Sequence, residues 1–448
     1  MQTMNLTYGI KDKPKFGQTI IFAFQQLLAI IAATIAVPSI IGNGMSQTAA
    51  LFGAGVGTLT YLLFTKFRSP VFLGSSFAFL GSMSAAFAGA VSLEAGYVGL
   101  IIGAAFAALV YVVFALLVKT AGVGWINKLM PPVVIGPTVA IIGLSLAGNA
   151  IGDLTTGAVS ASNYVCILCG LVTLFVTMYF SVYGKKMARL IPFILGILAG
   201  YVVSLLFTVI GTKTGNANLV VINFGLFESM KWVPDFTFVT ALKGVKDVDG
   251  TYVATVAVAY VPVAFVVFAE HLADHKNLST IVGVDLLTDP GLDRTLLGDG
   301  IGSFMGSIFG GCPNTTYGES IATTAVSGNA SVVTIATTAV LAILISFFGP
   351  FATFLATIPG CVMGGVCMTL YGFIAVSGLK MIQDVDLNDN RNLMVVCVIL
   401  VAGVGGLSVS FGKISLTTVA CALILGILTN TMLKSSKQEP NKDMPLQK

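Results

Sequence analysis

Charge is scarce in this chain. Lys, Arg, Asp and Glu make up 9% of its 448 residues, against about a quarter in soluble domains. Such a chain cannot clothe a folded core in a water-compatible surface, which excludes a soluble enzyme, a nucleic-acid binder and a disordered protein. Histidine is scarcer still, with two residues. His271 and His275 have the spacing of a zinc pair, but no third ligand at suitable spacing supports one. The seven cysteines (166, 169, 312, 361, 367, 397 and 421) are scattered and odd in number, so they are no disulfide framework. Cys166 and Cys169 form a C-x-x-C inside an apolar run and read as packing residues. What the chain has in plenty is apolar side chain: 56% of residues are hydrophobic and the mean hydropathy is +0.94. It reads as a polytopic membrane protein.

The stretch before Gly17 is polar, and the apolar run from about Gln18 to Ile41 is too long for the core of a cleavable signal. Runs near the roughly 20 residues that cross a bilayer recur at 18–42, 48–65, 70–88, 97–118, 132–149, 163–183, 190–211, 251–270, 297–311, 313–327, 331–348, 355–378, 393–408 and 414–433. The third, ninth and tenth are weak, being short or rich in Gly, Ser and Thr. Fourteen crossings from an inside N-terminus put 18 of the 23 Lys and Arg in inner loops and leave Lys213, Lys231, Lys243, Lys246 and Lys413 outside, as the positive-inside rule requires. Both termini are then cytoplasmic.

A faint repeat runs through the chain. MPPVVIG (Met130–Gly136) and IPGCVMG (Ile358–Gly364) each open an apolar span after a proline. Upstream of each lies a broken segment, SPVFLGSSFAF (Ser69–Phe79) and GCPNTTYGES (Gly311–Ser320). Seven spans per half give the halves opposite orientation, and inverted repeats with interrupted segments point to a binding site near the midplane. The expected fold is therefore all-α and polytopic, with 14 transmembrane segments as 7+7 inverted repeats. Ser69-Pro70 and Cys312-Pro313 disfavour helix. The two broken stretches would pair as a small antiparallel strand pair, with outward backbone groups offered to a polar, planar ligand. Simple helix kinks are the plain alternative.

The sharpest signal is intramembrane charge. The run from Val253 ends in FAEHLADHKN (Phe268–Asn277), which holds both histidines. Glu270 and Asp274 lie one helical turn apart on one face, and His271 and His275 share the next. Glu319 follows the broken TTYG stretch. Carboxylates at membrane depth are costly and mark substrate or proton paths; an interhelical hydrogen bond is the structural alternative for Glu270 and Glu319, and helix-end solvation the alternative for His275. The Glu270–Asp274 pair, poorly hydrated and repelling, would share a proton, and His271 and His275 would carry it toward the inner end.

These residues resemble a known family. AEHLADH, the downstream DPGLDR (Asp289–Arg294) and above all GCPNTTYGES are similar to the uracil branch of the nucleobase–ascorbate transporter (nucleobase:cation symporter) family. FQQLLAIIAATIAVP (Phe24–Pro38) resembles that family's first helix and LGSSFAF (Leu73–Phe79) its third segment. The chain departs from the pattern with Gln26 and Asp274 where histidines are found, Ser320 for Asn, Ala322 for Gly and Ser327 for Thr. The resemblance implies a core domain in two parts, 1–130 (segments 1–4) and 251–350 (segments 8–11). It also implies a gate domain in two parts, 131–250 (segments 5–7) and 351–448 (segments 12–14 with the tail), through which a homodimer forms. It implies that Glu270 and Glu319 hydrogen-bond a pyrimidine, that Phe77 packs on its ring, and that the backbone at Phe77 and Gly318 completes the polar contacts.

The function so implied is proton-coupled uptake of uracil across the plasma membrane by alternating access, with Glu270, Asp274 and His271 in the coupling and no cofactor. Chemistry agrees: uracil is flat and neutral, and needs acceptors, donors and an apolar face, while accumulating it requires a co-transported ion. Sodium stays open as that ion, and xanthine or another nucleobase as the substrate. An anion exchanger or channel of the same architecture is the second class, disfavoured by an acidic site without Lys or Arg. An intramembrane enzyme is the third; no spaced nucleophile–base–orienter set supports it.

Overall fold

The computed structural model describes residues 6–122, 131–157, 161–185, 187–383, 385–411 and 414–433. Met130, at the head of the first repeat motif, lies outside them, as do Lys128, Lys186, Lys413 and the tail lysines Lys434, Lys437, Lys442 and Lys448.

Lipid offers no partner to a backbone amide, so the apolar runs satisfy their own as helices. In chain order these begin with α1 (Phe16–Ile41) and α2 (Gln47–Phe64), then strand β1 (Leu73–Ser75), α3 (Leu80–Ala88) and α4 (Leu93–Ala121). Next come α5 (Pro132–Ser145), α6 (Ala147–Asp153), α7 (Asn163–Tyr183) and α8 (Pro192–Thr214). The second half runs α9 (Gly250–Val282), α10 (Leu292–Gly310), β2 (Asn314–Thr316), α11 (Gly318–Ser327), α12 (Val332–Ser346), α13 (Gly349–Ala356) and α14 (Gly360–Met381). It ends in α15 (Asn390–Val404), the strands β3 (Val409–Phe411) and β4 (Ile414–Leu416), and α16 (Thr418–Met432).

Among the described residues, eight helical stretches are long and apolar enough to cross a bilayer, with α5 and α6 taken as one; α12 and α13, bent by 82° at their junction, make a ninth. The chain is a mostly helical, multi-pass membrane protein. The expected eleventh run ends at Ser346, where the chain turns into α13. Pro350 stands in the first turn of α13, a place where its missing N–H breaks no helical bond. The twelfth run accordingly starts at Gly360 rather than near 355.

Local signals set the long helices. The Asp249 side chain caps α9 by accepting from the Tyr252 amide, and Gly283, at φ +70°, ends it. Ser92 caps α4 in the same way through the Ala95 amide. Buried side chains concentrate on α1, α2, α5, α9 and α10, whereas α7 and α8 expose Phe175, Tyr179, Val202 and Leu206, apolar surface suited to lipid.

The two broken segments do pair. β1 and β2 run antiparallel with Leu73 opposite Thr316, Gly74 opposite Thr315 and Ser75 opposite Asn314. The Ser76 amide donates to the Pro313 carbonyl at 2.8 Å and the Tyr317 amide to Phe72 at 3.2 Å. Gly74 is glycine for a visible reason: a Cβ there would enter the ring of Tyr317, whose hydroxyl donates to the Ser75 carbonyl at 2.7 Å. Beneath the strands, Gly53 and Gly57 of α2 face Gly302 and Gly306 of α10 with backbones in contact. Small residues permit that approach between membrane helices, and Asn314 fills the remaining space by donating to the Gly53 carbonyl at 3.0 Å.

Candidate functional site

Next to the residues that follow the two strands, Phe77 and Gly318, lies a cavity of about 360 Å³. Glu270 and Asp274 of α9, Gly318 and Glu319 at the start of α11, and Phe77 just past β1 form one side. Val139 of α5, Phe193 of α8 and Leu370, Phe373, Ile374 and Ser377 of α14 form the other. A recess of about 80 Å³ continues past Phe77 and Glu319 between the strand ends, Ile142 and Ile374. Four of the residues expected to bind substrate thus meet in one place although they come from three separated stretches of sequence.

Each polar group is held for a physical reason. Glu270 and Asp274 share a face because 3.6 residues make a turn. The Thr316 hydroxyl donates to Asp274 Oδ2 at 2.6 Å, which ties the end of β2 to α9. The Glu270 side chain has no protein hydrogen bond among the described residues, so its carboxylate is available to a ligand. Glu319 sits in the first turn of α11, where the helix N-terminus favours a negative group. The Phe77 ring lies edge-on to Tyr371 with centroids 6.1 Å apart.

Both histidines face away from the cavity. His271 Nδ1 is 2.8 Å from Asp299 Oδ2 and Nε2 is 3.0 Å from Thr295 Oγ1, both on α10. His275 Nδ1 donates to the His271 carbonyl at 2.9 Å, and its Nε2 lies 2.7 Å from the Tyr61 hydroxyl oxygen. The two rings stack with centroids 4.0 Å apart, and no ring nitrogen is bonded to Glu270 or Asp274. His275 is 1% exposed and two turns inside α9, so it is a bonded core residue and not a solvated helix end.

Several partners escaped the sequence reading. Asp299 was hidden in a Gly- and Ser-rich run, though a carboxylate in any membrane span was the available signal. Gln26 Nε2 donates to Ser320 Oγ at 2.5 Å, and the Phe72 amide donates to the same hydroxyl at 3.0 Å. Two positions at which the chain departs from the family pattern therefore touch each other, and they join α1, the start of β1 and α11. The wall contributed by α8 and α14 carried no local sequence signal at all. Cys166, Cys169 and Cys361 are buried with free thiols, in keeping with the packing reading.

A bundle of apolar helices around two paired, half-unwound segments, with carboxylates facing a cavity beside them, is the build of a membrane permease. A family described as "Permease family" matches residues 17–412, and the chain belongs to it; it is a transporter and not an enzyme. Its similar relatives include the uracil permease of Bacillus subtilis, 37% identical over 98% of both chains. The uracil permease of Bacillus caldolyticus is 38% identical over 96% of this chain and 95% of its own. Among solved structures, the transmembrane domain of the cyanobacterial bicarbonate transporter BicA matches 94% of this chain and all of its own, with a TM-score of 0.65 and 18% identity. At that identity the likeness speaks for the fold.

Proposed function

We propose that this permease takes up uracil with protons by alternating access across the plasma membrane. The observation that carries the reading is the meeting of Glu270, Glu319, Phe77 and the Gly318 backbone around one cavity. Two carboxylates on different elements can accept the two N–H groups of a pyrimidine, the backbone at the strand ends can donate to its carbonyls, and Phe77 can cover its face. A ligand lacking one of those groups leaves a buried partner unpaired, and that discriminates strongly. Xanthine is the second substrate that the same chemistry admits. An anion exchanger is the weaker reading, because no Lys or Arg lines this cavity.

The coupling acid is Glu270, with Asp274 as its neighbour. A proton shared by the two keeps one of them able to donate while substrate is bound. Its loss on the inner side restores two like charges and releases the substrate. Because both acids line the cavity, the proton leaves along the same path as uracil. His271 enters coupling indirectly, by holding the turn of α9 that bears them. The cavity reaches Phe193 and Met381, at the ends of α8 and α14 that the lysine and arginine bias assigns to the cytoplasm, so the conformation is inward-facing. The proposal includes fourteen crossings as 7+7 inverted repeats, cytoplasmic termini, and a core domain (1–130 and 251–350) working against a gate domain (131–250 and 351–448) that also forms a homodimer. No cofactor enters this scheme.

The test is uptake of labelled uracil into proteoliposomes, with and without an inward-acid gradient and with a panel of unlabelled nucleobases. Gradient-driven accumulation that uracil competes away supports the reading. Accumulation driven by sodium, competition by xanthine alone, or transport of bicarbonate in place of uracil overturns it.

A further inference from the structure

Behind α9, on the side away from the substrate cavity, lies a second polar centre, of which the uptake scheme uses His271 but neither Asp299 nor Tyr111. Asp299 of α10 is 1% exposed. Its Oδ2 meets His271 Nδ1 at 2.8 Å, while its Oδ1 is buried without a partner among the described residues. The Tyr111 hydroxyl of α4 is also buried without a partner, and the Tyr111 ring stands edge-on to His271 with centroids 6.2 Å apart. Asp299 and Tyr111 both line a small enclosed cavity of about 10 Å³, shared with Phe79, Ser303, Asn314 and Thr315. That is close to the least volume that holds one water, and a water needs at least two polar partners.

The hydrogen-bond directions limit what this centre does. The Thr295 hydroxyl donates to the Leu292 carbonyl at 3.1 Å, so its oxygen accepts from His271 Nε2–H. One further proton then lies between His271 Nδ1 and Asp299 Oδ2. Whether it rests on nitrogen or on oxygen, the pair is neutral overall, as a group buried in a membrane protein must be to avoid a heavy desolvation cost. A neutral pair in which both His271 ring nitrogens are bonded to α10 suits holding a position better than exchanging protons with the cavity. His271 follows Glu270 directly and is rotated about 100° from it on α9. Fixing the His271 ring against α10 therefore fixes the direction in which Glu270 and Asp274 face.

We infer that Asp299 is a positioning residue for the substrate site. It acts through His271, and one resident water in the small cavity bridges its free oxygen to the Tyr111 hydroxyl. The inference rests on the uracil reading. Wild-type protein that binds no uracil in the assay below refutes that reading, whereas the variants are judged only against a wild type that binds.

The experiment measures uracil affinity, ligand-free melting temperature and proton-driven accumulation for Asp299→Leu, Asp299→Asn and Tyr111→Phe, together with a high-resolution density map of the wild type. Asp299→Leu is expected to weaken binding by about tenfold or more at a near-normal melting temperature, because the His271 ring loses its anchor. Asp299→Asn still donates to or accepts from His271 and the water, so affinity and accumulation are both retained. Tyr111→Phe weakens binding by about threefold, as one of the water's two partners is lost. The map shows a single peak between Asp299 and Tyr111, unchanged when sodium is replaced by choline. Wild-type affinity in Asp299→Leu overturns the positioning role. Binding without accumulation in Asp299→Asn overturns it too and makes Asp299 a coupling acid. A peak that depends on sodium, or no peak, overturns the water. If Asp299→Leu does not fold, Tyr111→Phe decides: weaker binding at unchanged melting supports the inference, and wild-type binding overturns it.

Discussion

The Thr316 hydroxyl donates to Asp274 Oδ2 across 2.6 Å, which links the last residue of β2 to the carboxylate one helical turn from Glu270. This one bond joins the strand pair to the acidic face of α9, so movement of either element is felt by the other. Thr316→Val keeps the shape of the side chain and removes the donor. A hydrogen bond to a carboxylate contributes about 1.5–3 kcal/mol, so uracil binding should weaken by roughly tenfold or more while the folded protein survives. Equilibrium binding on purified, monodisperse protein checks this, and wild-type affinity would show that the link is dispensable.

Phe77 is one of the aromatic side chains that line the candidate site. It lines both the main cavity and the smaller recess, with its ring edge-on to Tyr371. Phe77→Ala removes a ring contact and its buried area, a loss on the order of 1–3 kcal/mol, and should lower uracil affinity without lowering the ligand-free melting temperature. Unchanged affinity would take Phe77 out of the site.

Glu319 is held by backbone geometry, one residue past the N-terminus of α11. If its carboxylate accepts an N–H from the base, Glu319→Ala abolishes high-affinity binding, and uracil methylated on that nitrogen fails to compete with labelled uracil. A structural role predicts something different, namely a collapsed ligand-free melting curve. A normal curve with no binding assigns Glu319 to the site; a collapsed one assigns it to the fold.

The legibility of this protein follows the range of its signals. Helical runs are visible because lipid forces long apolar stretches, and the strand pair is visible because Pro70 and Pro313 interrupt two of them. Glu270, Asp274 and Glu319 are visible because a carboxylate at membrane depth is rare. The bend between Ser346 and Gly349 was missed, since hydropathy cannot tell a straight span from a broken one. The partners of His271 and His275 were not legible, because sequence spacing gives a helix face but not what that face touches. Only packing shows that Asp299, Thr295 and Tyr61 occupy it. Phe193 and Phe373 were illegible for a similar reason: an aromatic on an apolar helix looks the same whether it faces lipid or a cavity.

The two neighbouring acids of α9 differ in their surroundings. Asp274 has a fixed donor in Thr316, whereas Glu270 has none among the described residues and faces the cavity, so Glu270 is the acid free to exchange its proton with substrate and solvent. Like charges one turn apart in a poorly hydrated place favour a single shared proton. Glu270→Gln imitates the protonated acid permanently: its amide can still donate to a uracil carbonyl, but it can neither take up nor release a proton. The variant should bind uracil and exchange labelled for unlabelled uracil across a proteoliposome membrane. It should fail to concentrate uracil when an inward-acid gradient is imposed. Exchange and accumulation measured on the same vesicles separate the two steps. If the variant accumulates uracil with the wild-type dependence on pH, the coupling proton does not reside on Glu270, and Asp274→Asn becomes the variant to examine.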